Sequence, residues 1–318
     1  MQEVLNLTSW REHFHDPMDR TLLAYSEKIT FTPEQLTRGD LNLLRDGGYS
    51  EKQVLDIVLV TAYRHYITRI ANGTGIEIGA DRVERSILSQ YTYAHDSVVT
   101  PPSQIGELPG DGATIGQVLE SADEGFWVES PDLSTVGANL ERECQQWEQR
   151  IGFVPNWLRA ISRHEASAVA ASEFALYCTF GGSPLGSSRE HLIGCLVASL
   201  LRTPYFYCLH GSFLKEQETF GELLVNVEGW READLSEQDQ VLLDFSEQMT
   251  RNAHQVTQEK VDRLKATGFS ESEVLDVIVL TSFLNCFCRV ANALGVPLDP
   301  ASKAFYEECK PAFMSREG

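Results

Sequence analysis

Hydrophobic positions recur along the chain with the spacing of helices. Segments 50–53 (Ser-x-x-Gln) and 270–273 (Ser-x-x-Glu) match the capping box that opens an α-helix. Each is followed by about twenty residues of helix-forming sequence that end at a glycine, and shorter amphipathic stretches cover 22–30 and 242–250. No alternating apolar and polar stretch of useful length predicts a strand. The pattern therefore predicts an all-α protein.

The chain contains an internal repeat at an offset of 220 residues. Residues 6–75 align without a gap to residues 226–295, with 24 identical pairs in 70 positions. Such self-similarity is the mark of a duplicated structural unit. The second copy is preceded by helix-forming sequence, about residues 146–220, that has no counterpart before residue 6. We therefore predict one complete domain and a partial copy of its C-terminal half.

The repeat divides the chain into four predicted segments. They are a partial repeat over 1–80, a connector over 81–145, the complete domain over 146–300 and a C-terminal tail over 301–318. The connector is acidic, with eight carboxylic residues and no Lys or Arg between Asp96 and Leu140. The partial copy is too small to bury its own apolar faces. We expect it to pack on the complete domain or on a second chain, and we expect a homo-oligomer.

The complete domain carries a series of motifs that resembles a known family. Those motifs are GFVPNWLR at 152–159, SREHLI at 188–193, YFYCLHG at 205–211, WREADLS at 230–236, GFS at 268–270 and RVANALGV at 289–296, with Asn285. They resemble the peroxidase-related branch of the carboxymuconolactone decarboxylase superfamily, which has the alkylhydroperoxidase D-like fold. The resemblance implies an all-helical, oligomeric antioxidant oxidoreductase that reduces hydroperoxides.

The redox motif implied by that resemblance is incomplete in this chain. The redox branch has C-x-x-C-x-x-x-H at the start of a helix, and alignment on His210 places Thr203 and Phe206 at the two cysteine positions. The relay glutamate of the branch falls on Glu190 or His191. The resemblance therefore implies that thiol-dependent peroxidase activity is weak or lost here.

Three functional hypotheses follow for this site. The protein is a non-catalytic oligomeric scaffold, or His210 with Glu190 or His191 forms an acid/base pair on a small apolar or carboxylated substrate, as in a decarboxylase or lyase. In the third hypothesis Cys208 acts as an unconventional peroxidatic thiol, although Cys208 and His210 project about 200° apart on a helix.

Two local motifs give these residues structural roles instead. Thr203 before a proline predicts a helix N-cap, and Ser187-x-x-Glu190 predicts a further capping box.

Metal, disulfide and nucleotide motifs are missing from the sequence. The seven cysteines include no C-x-x-C pair, which argues against a zinc site or a disulfide-stapled scaffold. The Gly-x-Gly segments at 73–75 and 110–112 have the wrong spacing for a dinucleotide loop. We therefore expect no metal and no cofactor.

Charge excludes two further classes of partner. The chain has 26 Lys and Arg against 46 Asp and Glu, a net charge of −20, which disfavours nucleic acid and anionic membrane surfaces. Apolar runs such as 192–201 are about half the length that spans a bilayer, and no signal peptide pattern follows Met1. We expect a soluble, cytoplasmic protein.

Overall fold

The structure is a computed structural model that describes residues 10–76, 125–180, 182–215, 218–221 and 223–314. The prediction of an all-α protein is confirmed, since the described residues form helices joined by turns. The helices are α1 Trp10–His13, α2 Pro17–Phe31, α3 Arg38–Asp46, α4 Glu51–Thr74, α5 Ala138–Ile151, α6 Asn156–Ile161, α7 Glu165–Thr179, α8 Ser187–Leu200, α9 Pro204–Leu214, α10 Glu218–Gly221, α11 Glu237–Arg251, α12 Gln258–Ala266, α13 Glu271–Leu294 and α14 Pro300–Cys309.

The long helices α4 and α13 begin and end as their sequences predict. Ser50 and Ser270 are N-caps of complete capping boxes, and Gly75 and Gly295 are C-caps in the left-handed conformation. A glycine adopts that conformation without the steric cost that a Cβ brings. The two helices of 24 residues are therefore fixed at both ends by local sequence.

Helices α4 and α13 pack against each other and join the two repeat copies. Gly73 allows the close approach, because an added Cβ would lie only 2.7 Å from Ile278 Cγ2. The Tyr25 hydroxyl donates a 2.8 Å hydrogen bond to the Ala293 carbonyl. The partial copy thus buries part of its apolar surface against the C-terminal half of the chain.

Several contacts recur at the 220-residue offset. Trp10 donates to Glu27 and Trp230 donates to Glu247, each over 3.2 Å. The hydroxyls of Thr61 and Ser26 lie 3.2 Å apart, and those of Thr281 and Ser246 lie 3.3 Å apart. Equivalent residues of the two copies therefore make equivalent contacts.

A buried arginine also links the two repeat copies. Arg69 on α4 donates to the Met249 and Thr250 carbonyls at the end of α11, over 3.0 and 2.9 Å. Carbonyls at a helix C-terminus have no partner within their helix and carry partial negative charge. The guanidinium therefore satisfies the end of a helix that belongs to the other copy.

Two segment limits differ from the sequence prediction. Helix α5 spans 138–151, so the limit placed at 145/146 falls inside a helix whose Leu140 and Trp147 are buried in the core. The segment 301–318, expected as a tail, begins with α14, whose Phe305 is buried against α9. Hydrophobic anchors at 140, 147 and 305 explain both extensions. Residues 81–124 of the predicted connector lie outside the described residues.

Residues 126–128 attach the start of the described C-terminal part to the partial copy. Arg38 donates to the Phe126 carbonyl and Arg45 to the Trp127 carbonyl, over 2.9 and 2.6 Å. Trp127 also covers Gly295, where an added Cβ would lie 2.1 Å from the indole ring.

Helix α13 is long and apolar enough to cross a membrane by length and composition, but most of its apolar window is buried inside the fold. No other helix in the described ranges meets those criteria. Its hydrophobicity is explained by its position in the core, between α4, α8 and α11.

Candidate functional site

Helices α8 and α9 form an antiparallel hairpin that carries the candidate residues. Arg202 in the three-residue connection has a φ of +50°, which costs a residue with a Cβ roughly 1 kcal/mol. Its guanidinium donates to the Ser199 carbonyl over 3.2 Å and pairs with Glu228. Pro204 then begins α9 with its φ already restricted. The Arg202 side chain and the Pro204 ring thus fix the geometry of this turn.

The hairpin brings two histidines together. His191 Nδ1 on α8 lies 3.0 Å from His210 Nδ1 on α9, and the two rings are 1 % and 3 % exposed. Two imidazole nitrogens at this distance require one to donate and the other to accept. Of the two relay positions left open by the sequence, His191 therefore makes the hydrogen bond to His210.

Small and aromatic neighbours enclose this histidine pair. Gly194 faces the His210 ring so closely that a Cβ would lie 2.4 Å from His210 Cγ. The His191 ring stacks on Phe213 at 4.8 Å and meets the edge of Phe180 at 5.5 Å. The Phe206 ring lies 6.0 Å from His210. The pair therefore sits in apolar surroundings.

Burial controls the protonation of both rings. It lowers the pKa of His210 to about 3 and the pKa of His191 well below its ordinary value. The charge of a neighbouring imidazolium lowers the pKa of His191 further. Both rings are thus neutral at neutral pH, and His210 Nε2 is buried without a hydrogen-bond partner among the described atoms.

Glu190 differs from the capping box predicted for it. The N-cap of α8 is Gly186, and the wholly buried Glu190 carboxylate accepts hydrogen bonds from Ser183 Oγ at 2.7 Å and from the Ser183 backbone N–H at 3.4 Å. The prediction that Ser187 and Glu190 form a capping box is therefore wrong. The helix begins one residue earlier than predicted, and the Glu190 side chain points into the core instead of back to the helix end.

The two positions aligned with the redox cysteines are also buried. Thr203 and Phe206 are 0 % and 4 % exposed. Thr203 occupies the N-cap position of α9 as predicted, but its hydroxyl donates to the Leu201 carbonyl at 3.3 Å and does not cap the helix. The Thr203 hydroxyl thus satisfies a nearby carbonyl, and the Phe206 ring packs in the interior. Both residues have structural roles at these positions.

Cys208 lies deep in the hairpin. Its side chain is 0 % exposed, and burial raises the pKa of the thiol far above its ordinary value. The same holds for Cys195, while Cys309 on α14 is partly exposed. A thiol reacts as its thiolate, which burial in apolar surroundings disfavours. Burial therefore disfavours the thiolate form of Cys208.

A buried carboxylate that the sequence analysis did not single out lies beside α9. Asp299 accepts hydrogen bonds from the Tyr205 hydroxyl at 2.7 Å and from the Asn156 backbone N–H at 2.9 Å, and burial raises its pKa to about 6. Asn156 is the first residue of α6, where N–H groups lack partners within the helix. The sequence feature that pointed to this region was the motif at 152–159, because it contains the start of α6.

The described residues have the alkylhydroperoxidase D-like helical fold. An uncharacterized peroxidase-related protein from Ralstonia eutropha JMP134, described as an alkylhydroperoxidase AhpD core, superposes with a TM-score of 0.51 and 19 % sequence identity over 57 % of this chain and 95 % of that chain. An uncharacterized peroxidase-related protein from Silicibacter sp. TM1040 gives a TM-score of 0.47 and 25 % identity over 52 % of this chain and 87 % of that chain. No protein-family profile and no curated protein matches the chain.

Proposed function

We propose that this protein is a peroxidase-related protein of the alkylhydroperoxidase D-like type in which thiol-dependent hydroperoxide reduction is weak or lost. The observation that carries this proposal is the burial of Thr203 and Phe206 at the two positions where the resemblance expects redox cysteines. A threonine hydroxyl and a benzyl group have no thiolate to attack a hydroperoxide. The nearby thiol of Cys208 has a raised pKa and no exposure.

Consumption of cumene hydroperoxide with dithiothreitol as the reductant tests this proposal. We expect the purified protein to consume peroxide no faster than its Cys208→Ala variant. Cys195→Ala serves as the matched control, because it removes a second buried thiol of the same hairpin. Turnover that is lost in Cys208→Ala and kept in Cys195→Ala would contradict the proposal and assign the peroxidatic role to Cys208.

A second candidate function rests on the unpartnered Nε2 of His210. A buried polar atom without a partner costs free energy, and such atoms occur at catalytic positions. In this alternative His210 and His191 act on a small apolar or carboxylated substrate without a cysteine. Activity on such a substrate that survives Cys208→Ala and disappears in His210→Phe would select this alternative. A pKa near 3 makes His210 a weak base at neutral pH, so we rank it second.

The non-catalytic alternative includes a role in assembly as a homo-oligomer. Leu275 and Ile76 are 50 % and 66 % exposed, and exposed apolar side chains favour contacts between chains where they form a patch. Light scattering of the full chain tests it, and a strictly monomeric particle would refute it. The net charge of −20 supports partners other than nucleic acid or membranes, and a cytoplasmic location remains part of the proposal.

A further inference from the structure

A separate cavity of about 440 Å³ lies between α4, α7 and α13. Its lining includes five aromatic side chains, Tyr63, Tyr66, Phe174, Phe283 and Phe287. None of the four candidate residues of the hairpin belongs to its described lining. The volume lies in the range of pockets that bind small molecules, which are mostly apolar with a few polar groups.

The cavity exists because the two repeat copies are covered differently. Leu280, Phe283 and Phe287 on α13 are 1 %, 6 % and 8 % exposed, and aromatic rings of α7 and α6 pack against the two phenylalanines. Their equivalents on α4 at the offset of 220, Val60, Tyr63 and Ile67, are 63 %, 53 % and 37 % exposed. The described part of the chain places no counterpart of α6 and α7 on this face. A space therefore opens where the exposed face of α4 meets α7.

Small side chains on α7 keep this space open. Ala170 and Ala171 line it beside Phe174, whose ring lies 4.9 Å from Phe283 at an angle of 53°. Aromatic rings attract a further ring in tilted or edge-to-face arrangements. The wall is therefore suited to a planar aromatic group.

Polar groups collect at one place in the lining. His164 Nε2 lies 3.7 Å from Asp56 Oδ1, beyond hydrogen-bond distance, and the two side chains are 35 % and 43 % exposed where they line the cavity. Ser167, also in the lining, lies in the first turn of α7. An unpartnered imidazole nitrogen can accept from a hydroxyl or donate to its oxygen, depending on the tautomer. This arrangement offers one hydrogen bond at the edge of an apolar site.

We propose that the α4–α7 cavity binds a small aromatic molecule with one hydroxyl, a ligand of the phenol class. The ring packs among Phe174, Phe283 and Phe287, and the hydroxyl forms a hydrogen bond with His164. This inference goes beyond the proposed function, because it uses none of the hairpin residues and holds whether or not the hairpin has an activity.

The test compares 2-naphthol with 2-methylnaphthalene, which has a similar shape and no hydroxyl, in fluorescence titration and competition with the full chain. We expect saturable binding of both and a preference for 2-naphthol of about five- to tenfold, the size of one net hydrogen bond. His164→Leu should abolish this preference and leave 2-methylnaphthalene binding in place. Equal affinities for both probes in the unmodified protein would overturn the assignment of a phenol-class ligand.

A second experiment fills the cavity with a larger side chain. Ala171→Trp should weaken both probes at least tenfold, whereas Ala166→Trp, at an exposed position of the same helix outside the lining, should not. Ser167→Trp, one turn before Ala171 on the same face, replaces Ala171→Trp if that variant does not fold. Unchanged binding in the filled variants would overturn the proposal. It would equally be overturned if the filled variants dissociate an oligomer and the probes bind only to the dissociated form, because a second copy would then be the occupant.

Discussion

Gly194→Ala tests the packing of the histidine pair most directly. The added Cβ would lie 2.4, 2.5 and 2.7 Å from Cγ, Cδ2 and Nδ1 of His210, well inside van der Waals contact. The His210 ring is held on its other sides by His191 and Phe206 and cannot move away. Overpacking of a core costs about 1–3 kcal/mol, and the replacement of a helical glycine by alanine returns about 0.5–1 kcal/mol. We expect a net destabilisation of roughly 1–2 kcal/mol.

The decisive comparison repeats this substitution in a His210→Ala background. Without the ring the clash is absent, so Gly194→Ala should now stabilise the protein by about 0.5–1 kcal/mol. Urea unfolding followed by circular dichroism at pH 8 measures all four variants of the cycle. Gly39→Ala is the control, because its Cβ would meet nothing closer than 3.4 Å. The same effect of Gly194→Ala in both backgrounds would refute the packing described for the hairpin.

Three further predictions concern protonation, thiol exposure and the contact between the copies. Because burial holds the pKa of His210 near 3, its contribution to stability is present above about pH 6.5 and is lost as the pH falls towards 3, at up to roughly 1.4 kcal/mol per pH unit. Urea midpoints from pH 8 to 4 should show a slope that His210→Phe reduces and His254→Gln, at an exposed position, does not. Cys286 lines the α4–α7 cavity, so the thiol titration uses a Cys286→Ser background. An aromatic disulfide reagent should there show one fast thiol, absent once Cys309→Ser is added, while the other five cysteines, Cys208 among them, react only on unfolding; a fast phase that persists in the double variant would contradict the burial described. Tyr25→Phe should destabilise the protein by about 1 kcal/mol, the net value of its buried hydrogen bond, and an unchanged urea midpoint would count against that bond.

Local signals in the sequence predict most of the helical framework. The capping boxes at 50–53 and 270–273 and the glycines at 75 and 295 fix both ends of the long helices, because caps act within a few residues. The motif at 187–190 has the same residue types and does not cap. Whether such a glutamate turns back to its helix end or into the core depends on tertiary burial, which the motif does not contain.

The candidate site was only partly predictable for the same reason. In an antiparallel hairpin, residues at similar distances from the turn lie at the same level, which places both Glu190 and His191 near His210. The rotation of α8 about its axis selects His191, and α8 is buried on nearly all sides, so no amphipathic pattern reveals that rotation. The α4–α7 cavity was beyond prediction, since its walls come from helices more than 90 residues apart in sequence.

The pairing of α4 with α13 inside one chain has an evolutionary consequence. Two subunits related by a two-fold axis carry every substitution twice, so a change must fit both halves of the interface at once. Here the copies are encoded separately and are held together by covalent linkage, whatever the protein concentration. Gly73 thus takes the position that Ala293 has in the other copy, and His65 takes the position of Asn285. Two copies in one chain can diverge in this way, whereas the identical subunits of a symmetric dimer cannot. The divergence permits one face of the molecule to acquire a cavity that the other face does not share.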